Sequence, residues 1–172
     1  MRIADSIFDR LKAETDTVFF VPGGGAMFLV DALGRSGLRA VSALHEQGAG
    51  AMALGYAMAS GRLGVCLTTS GPGATNAMTP CLAAWTDSVP VLFISGQARS
   101  DTLVDGTGLR TRGVQEGPIV QMVEPITKLA YEPESLSGLH WALESAIKAC
   151  KTGRPGPCWL SVPQDVQGMN DE

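Results

Sequence analysis

Apolar residues recur along this chain in two rhythms, and the alternation between them predicts the fold. Ile3, Ile7, Phe8 and Leu11 fall at helical spacing, so the chain opens with an amphipathic helix. Residues 18–21 form a short β-prone run, stopped by Pro22 and the triplet Gly23, Gly24 and Gly25. A second helix carries residues 27–33 and ends near Gly34 or Gly37, since glycine favours the position just past a helix. Residues 38–44 read as the second strand, and 45–61 as a helix with Ala49, Met52, Ala53 and Tyr56 on one face. Residues 64–69 predict a third strand, 73–85 a helix and 89–95 a fourth strand. The polar, irregular stretch 96–113 reads as the most mobile segment. Residues 115–123 predict a short helix ending before Pro125. A fifth strand at 126–131, a helix at 136–149 and a last strand at 158–162 complete the series.

Strands alternating with helices predict an α/β fold: a doubly wound parallel sheet of about six strands with helices on both faces. The length suits a single domain, residues 1–172. In such sheets ligands sit beyond the carboxyl ends of the strands. Three places qualify: residues 22–25, the pair His45-Glu46, and residues 70–73.

Composition narrows the function. The formal net charge is −4 and no run of Lys or Arg occurs, which argues against a nucleic-acid or anionic-membrane surface. No apolar stretch approaches the ~20 residues that span a bilayer, and the first residues lack a signal-peptide core. A cytoplasmic protein is the expectation. Cys66, Cys81, Cys150 and Cys158 show no metal-ligand spacing; Cys66 and Cys158 each sit in an apolar run, so buried thiols in a reducing compartment are the better reading. No metal-ligand set is visible.

Glu46 is the strongest single candidate for chemistry. It lies where a strand gives way to a helix, where the helix dipole favours an acid, and Gly48, Ala49, Gly50 and Ala51 behind it leave room for a flat ligand. The bland alternative, an ordinary first-turn acid, has equal standing on position alone. The run Ser70-Gly71-Pro72-Gly73-Ala74-Thr75-Asn76 is more distinctive: a rigid bend of little bulk, with Thr75 and Asn76 as polar groups that can orient a ligand. Its alternative is a plain helix-entry turn. Gly23-x-Gly25 followed by Glu46 imitates a dinucleotide fingerprint, but Phe28 stands where the third glycine belongs. His45 has no triad or metal pattern around it and is expected to support Glu46 or to pack. His140 reads as a surface or core-edge residue.

Taken in order, Val21-Pro22-Gly23-Gly24, Leu44-His45-Glu46-Gln47-Gly48-Ala49, Gly55-Tyr56-Ala57 and Thr69-Ser70-Gly71-Pro72-Gly73-Ala74-Thr75-Asn76 resemble the thiamine-diphosphate enzymes of the acetolactate synthase, pyruvate oxidase and 2-oxo-acid decarboxylase group. Asp87-Ser88-Val89-Pro90-Val91, Ser95-Gly96-Gln97, Gln115-Glu116 and Pro125-Ile126-Thr127-Lys128 continue the resemblance, which runs from about Ile3 to Asp165. The resemblance implies a pyrimidine-binding domain that places thiamine diphosphate at a dimer interface. A glutamate matching Glu46 would hydrogen-bond the pyrimidine ring nitrogen and so promote ionisation of the thiazolium carbon, ahead of attack on a 2-oxo acid. Pro22 and Gly23 would line the pyrimidine pocket, Thr69, Pro72 and Asn76 would contact the ring, and Gln115 would approach the substrate side. Val114 stands where acetolactate synthases usually carry Phe, and residues 108–113 are atypical, so the particular 2-oxo acid stays open.

The family's magnesium-diphosphate motif, Gly-Asp-Gly followed some thirty residues later by Asn, does not occur. Asn76 and Asn170 are the only asparagines, and neither follows such a triplet; Asp105-Gly106 lacks the asparagine. Mg2+ and the diphosphate are therefore expected on another domain. That domain belongs either to a homo- or hetero-oligomeric partner or to a longer polypeptide; the ending slightly favours a split enzyme. Without it the chain should be inactive. A non-catalytic dimerisation or regulatory domain, and a Rossmann nucleotide-binding domain, are the alternatives.

Overall fold

The computed structural model describes residues 1–104 and 106–170. Its strands are β1 (Thr17–Phe20), β2 (Arg39–Ser42), β3 (Gly64–Thr68), β4 (Val91–Gln97), β5 (Ala130–Tyr131) and β6 (Cys158–Pro163). All pair in parallel, in the order β2-β1-β3-β4-β6-β5. The helices are α1 (Ile3–Leu11), α2 (Met27–Ser36), α3 (Glu46–Ser60), α4 (Pro72–Asn76), α5 (Met78–Asp87), α6 (Ile119–Val123), α7 (Leu136–Lys151) and α8 (Gln164–Gly168).

The central strands are apolar on both faces, as a sheet covered twice requires. Val65, Leu67, Leu92, Ile94, Leu160 and Val162 enter one core with α1, α2, α7 and α8. Their neighbours in sequence, Cys66, Phe93 and Trp159, enter the other with α3, α4, α5 and α6. There Phe93 and Trp159 stack with centroids 5.0 Å apart, and the Trp159 indole N–H donates to Ser95 Oγ at 3.0 Å. The doubly wound α/β reading holds. All four cysteines are buried and free, and burial pushes the Cys66 and Cys81 thiols upward in pKa. Among the described residues no helix is long and apolar enough to cross a membrane.

Several local expectations need correction. The helix expected at 73–85 is two, α4 and α5, parted at Ala77. Pro80 is the reason: it has no N–H to return to residue 76, so it is accommodated only in the first turn of a new helix. The helix expected from 115 begins at Ile119, because Gln115 takes φ 55° and Pro118 disfavours helical backbone before it. The fifth strand shrinks to Ala130–Tyr131, since Pro125 starts a 3-10 turn over Glu124–Ile126. The buried face of α3 is Ala49, Gly50, Ala53 and Ala57; Met52 is exposed and Tyr56 half-buried, its hydroxyl donating to Asp16 at 2.9 Å. Of the two glycines expected to end α2, Gly37 is the one that does: it follows Ser36 as a left-handed cap. Gly96 and Gln97 belong to β4, so the irregular stretch starts later than expected; Asp105 within it lies outside the described residues.

Candidate active site at the carboxyl rim

Because β1 lies between β2 and β3, the loops following these three strands meet at one rim, although their residues are far apart in sequence. The chain also changes its direction of winding here. β2 is added on one side of β1 and β3 on the other, which leaves a crevice at the strand ends.

Glu46 is the first residue of α3. The preceding His45 caps the helix, its Nδ1 accepting from the Gly48 amide at 3.1 Å. The Glu46 side chain is half-buried, and its Oε2 accepts from Asn76 Nδ2 at 2.7 Å. Asn76 closes α4, so the short helix entered through Gly71 and Pro72 exists at the right place to supply that amide. Thr69 fastens the β1 and β3 loops together: its Oγ1 accepts from the Gly25 amide at 3.1 Å.

Glycine is required at several of these contacts. A Cβ on Gly23 would lie 2.5 Å from Thr69 Cβ, and one on Gly73 2.7 Å from Thr69 Cγ2 and 3.2 Å from Glu46 Oε1. Gly71 has φ 51°, and a Cβ there would meet the Gln115 carbonyl oxygen at 2.2 Å. Only glycine satisfies both the backbone angle and the approach.

Glu46, Thr69, Pro72, Asn76 and Gln115 line one open basin of about 660 Å³, joined by Gln47, Gly73 and Thr75. Five of the seven residues to which the resemblance gives a role are thus brought together, with Thr75 beside them. Pro22 and Gly23 stand apart from that lining: Gly23 backs onto the Thr69 side chain, and Pro22 is exposed on the adjoining loop. Thr75 turns its hydroxyl to the Pro72 carbonyl at 3.1 Å, and Ser70 is buried beside Gly25. His140 is exposed on α7. Among the described residues no group of three His, Cys, Asp or Glu side chains is arranged to hold a metal ion.

Two features escaped the sequence. Gln47 lines the basin although it has no chemical signature of its own. Glu116 accepts three backbone amides, from Val104 at 2.7 Å on Oε1 and from Arg112 and Gly113 at 2.9 and 3.0 Å on Oε2. Burial opposes its charge, but the amides outweigh burial and hold its pKa below the ordinary carboxylate value. Glu116 lies in the Gln115-Glu116 motif and within the helix expected at 115–123, and neither marks it as an acceptor for loop amides.

Comparison with known proteins identifies relatives of the chain. The chain is 44% identical over 158 residues to the acetolactate synthase large subunit of Corynebacterium glutamicum, covering 91% of this chain and 24% of that protein. It is 38% identical over 168 residues to the acetolactate synthase isozyme 2 large subunit of Escherichia coli K12, covering 97% of this chain and 30% of the relative. For the chloroplastic acetolactate synthase of Arabidopsis thaliana the identity is 40% over 166 residues, 95% of this chain and 24% of the relative. The chain therefore spans between about a quarter and a third of the length of these curated relatives. Residues 1–122 match the family described as thiamine pyrophosphate enzyme, N-terminal TPP binding domain, and to that family the chain belongs.

Proposed function

We propose that this chain provides the pyrimidine-binding half of a thiamine-diphosphate-dependent 2-oxo-acid decarboxylase or carboligase of the acetolactate synthase type. One observation carries the reading. The Glu46 carboxylate is oriented through Oε2 by Asn76, while Oε1 lies beside Gly73, where the absence of a side chain keeps the basin open. That arrangement fits an aminopyrimidine. A carboxylate meets the ring nitrogen, and the low-bulk Pro72-Gly73 turn accommodates a flat ring.

In this reading Glu46 Oε1 holds a proton against the ring nitrogen, Asn76 keeps the carboxylate in register, and Thr69 and Pro72 pack on the ring. Gln115 stands at the substrate side of the basin. When bound, thiamine diphosphate supplies the electron sink that makes loss of carbon dioxide from a 2-oxo acid feasible. Mg2+ and the diphosphate are held by a diphosphate-binding domain outside this chain, in a homo- or hetero-oligomer, and the chain without it is inactive. Two exposed apolar side chains support a covered rim: Leu44, 102% exposed, and Val114, 86% exposed, neighbour Glu46 and Gln115 in sequence. A cytoplasmic setting and the single-domain span 1–172 belong to the same reading.

The test is reconstitution with a diphosphate-binding domain, thiamine diphosphate and Mg2+. Carbon dioxide release or carbon–carbon bond formation from a 2-oxo acid is expected, and its loss in Glu46→Gln. Full activity in that variant would remove Glu46 from the chemistry.

A further inference from the structure

Gln115 stands at the basin edge with φ 55°, a backbone angle that a residue with a side chain adopts only under outside constraint. Three constraints surround it. On one side the Gln115 carbonyl rests in the space that Gly71 leaves by having no Cβ. After it, the Gly117 carbonyl accepts from Gln97 Nε2 at 2.9 Å. Gln97 is 2% exposed and fully engaged, donating also to Glu132 Oε2 at 3.0 Å and accepting from the Ala98 amide at 2.9 Å. The third constraint is the adjacent Glu116, whose two oxygens take the amides of Val104, Arg112 and Gly113.

We propose that Glu116 is a positioning residue: by gathering those three amides it closes the loop on itself and fixes Gln115 at the edge of the basin. The inference rests on the proposed reading for its substrate but not for its geometry. A carboxylate accepting several backbone amides is among the stronger hydrogen-bond arrangements available to a loop, because each bond is charge-assisted. It also accounts for the aperiodic sequence. Residues 106–114 have no buried hydrophobic side chain to hold them, so the carboxylate takes the place of a core. Gln97 secures the other end. Gln115 is thus bracketed by two anchors of different origin, one in the sheet and one in the loop.

Amide hydrogen exchange on the chain alone gives the first readout. In Glu116→Ala, exchange at Val104, Arg112 and Gly113 should rise about tenfold or more, with α3 unchanged. Glu116→Gln, which keeps an acceptor oxygen, should restore part of the protection. The second readout uses the reconstituted enzyme. Glu116→Ala should raise KM for the 2-oxo acid by about 10- to 100-fold, the scale on which small misplacements of a contact act. Exchange of the cofactor's thiazolium proton, followed by NMR, should keep its wild-type rate, because the Glu46–Asn76 pair is untouched. The double variant Gln115→Ala/Glu116→Ala should be no worse than Gln115→Ala alone. Unaltered amide exchange overturns the inference, and so does lost protection with an unchanged KM, or additive effects in the double variant. A wild-type reconstitution without cofactor-dependent turnover would instead overturn the proposed function, while the exchange experiment would still decide whether Glu116 holds the loop.

Discussion

The two ends of the sheet treat a carboxylate in opposite ways. At the amino end of β1, Glu14 is largely covered and both its oxygens are engaged, Oε1 by Arg10 Nη1 at 3.0 Å and Oε2 by Lys151 Nζ. Burial opposes its charge, yet the two cations prevail and keep its pKa below the ordinary value. At the carboxyl end of β2, Glu46 has a single side-chain partner among the described residues, the neutral amide of Asn76, and an open basin in front of it. Glu14 joins α1 to α7, each of its oxygens held by a cation. Glu46 is oriented but not satisfied. A site for chemistry is recognised by that remaining capacity more than by the presence of an acid.

The contrast can be broken most forcefully at Glu46. In the reconstituted enzyme Glu46→Gln should lower turnover by about 10²- to 10⁴-fold, the range for loss of a positioned proton-transfer group. Its unfolding midpoint should scarcely move. Equal losses of activity and stability would make Glu46 a structural residue like Glu14.

Next in size is the backing of the rim. A Cβ on Gly96 would lie 2.0 Å from the Gly25 carbonyl oxygen, a backbone atom that yields only if the β1 loop moves. Gly96→Ala should cost about 1–3 kcal/mol in urea unfolding, as overpacking of a tight contact does. A neutral result would show the loop to be free of β4.

At the other end, Glu14→Gln should reduce stability by about 1 kcal/mol at neutral pH, as for a partly buried ion-pair network. The folded-state pKa is depressed, so the contribution is complete above the unfolded carboxylate pKa and disappears as pH falls through the folded value. Wild type and variant should therefore converge in acid, as read from thermal unfolding across that range. The smallest effect concerns the cap of α3. His45→Ala removes the acceptor for the Gly48 amide and should cost about 0.5 kcal/mol, with Asn at that position recovering it. Loss of turnover in the Asn variant would give His45 a role beyond capping.

Much of this was legible beforehand. Helix α1, the run of β3 and the long α7 carried clear periodicity, and their apolar residues are the ones that fill the cores. Glu46, Thr69, Pro72, Asn76 and Gln115 were each marked by an ordered set of short motifs, and they share a basin. The misses have physical causes. Pro80 and Pro118 each remove or restrict a single backbone position, so their effect is local and invisible to a periodicity that averages over a turn. Spacing grouped Met52 with Ala49 and Ala53 on one face, whereas α3 packs through its smallest residues because Gly50 leaves room for Pro80 and Phe93.

By itself the sequence determined the class of fold, the alternation of its elements and the residue types available at the carboxyl ends. Those follow from local preference and from which side chains avoid water. The tertiary structure decided which loops became neighbours. Strand order put β1 between β2 and β3 and so set Asn76 against Glu46, thirty residues apart in the chain. It also decided that Glu116, besides taking the nearby amides of Arg112 and Gly113, would reach back to the Val104 amide twelve residues earlier, a contact that depends on closure of the loop and that no local pattern encodes.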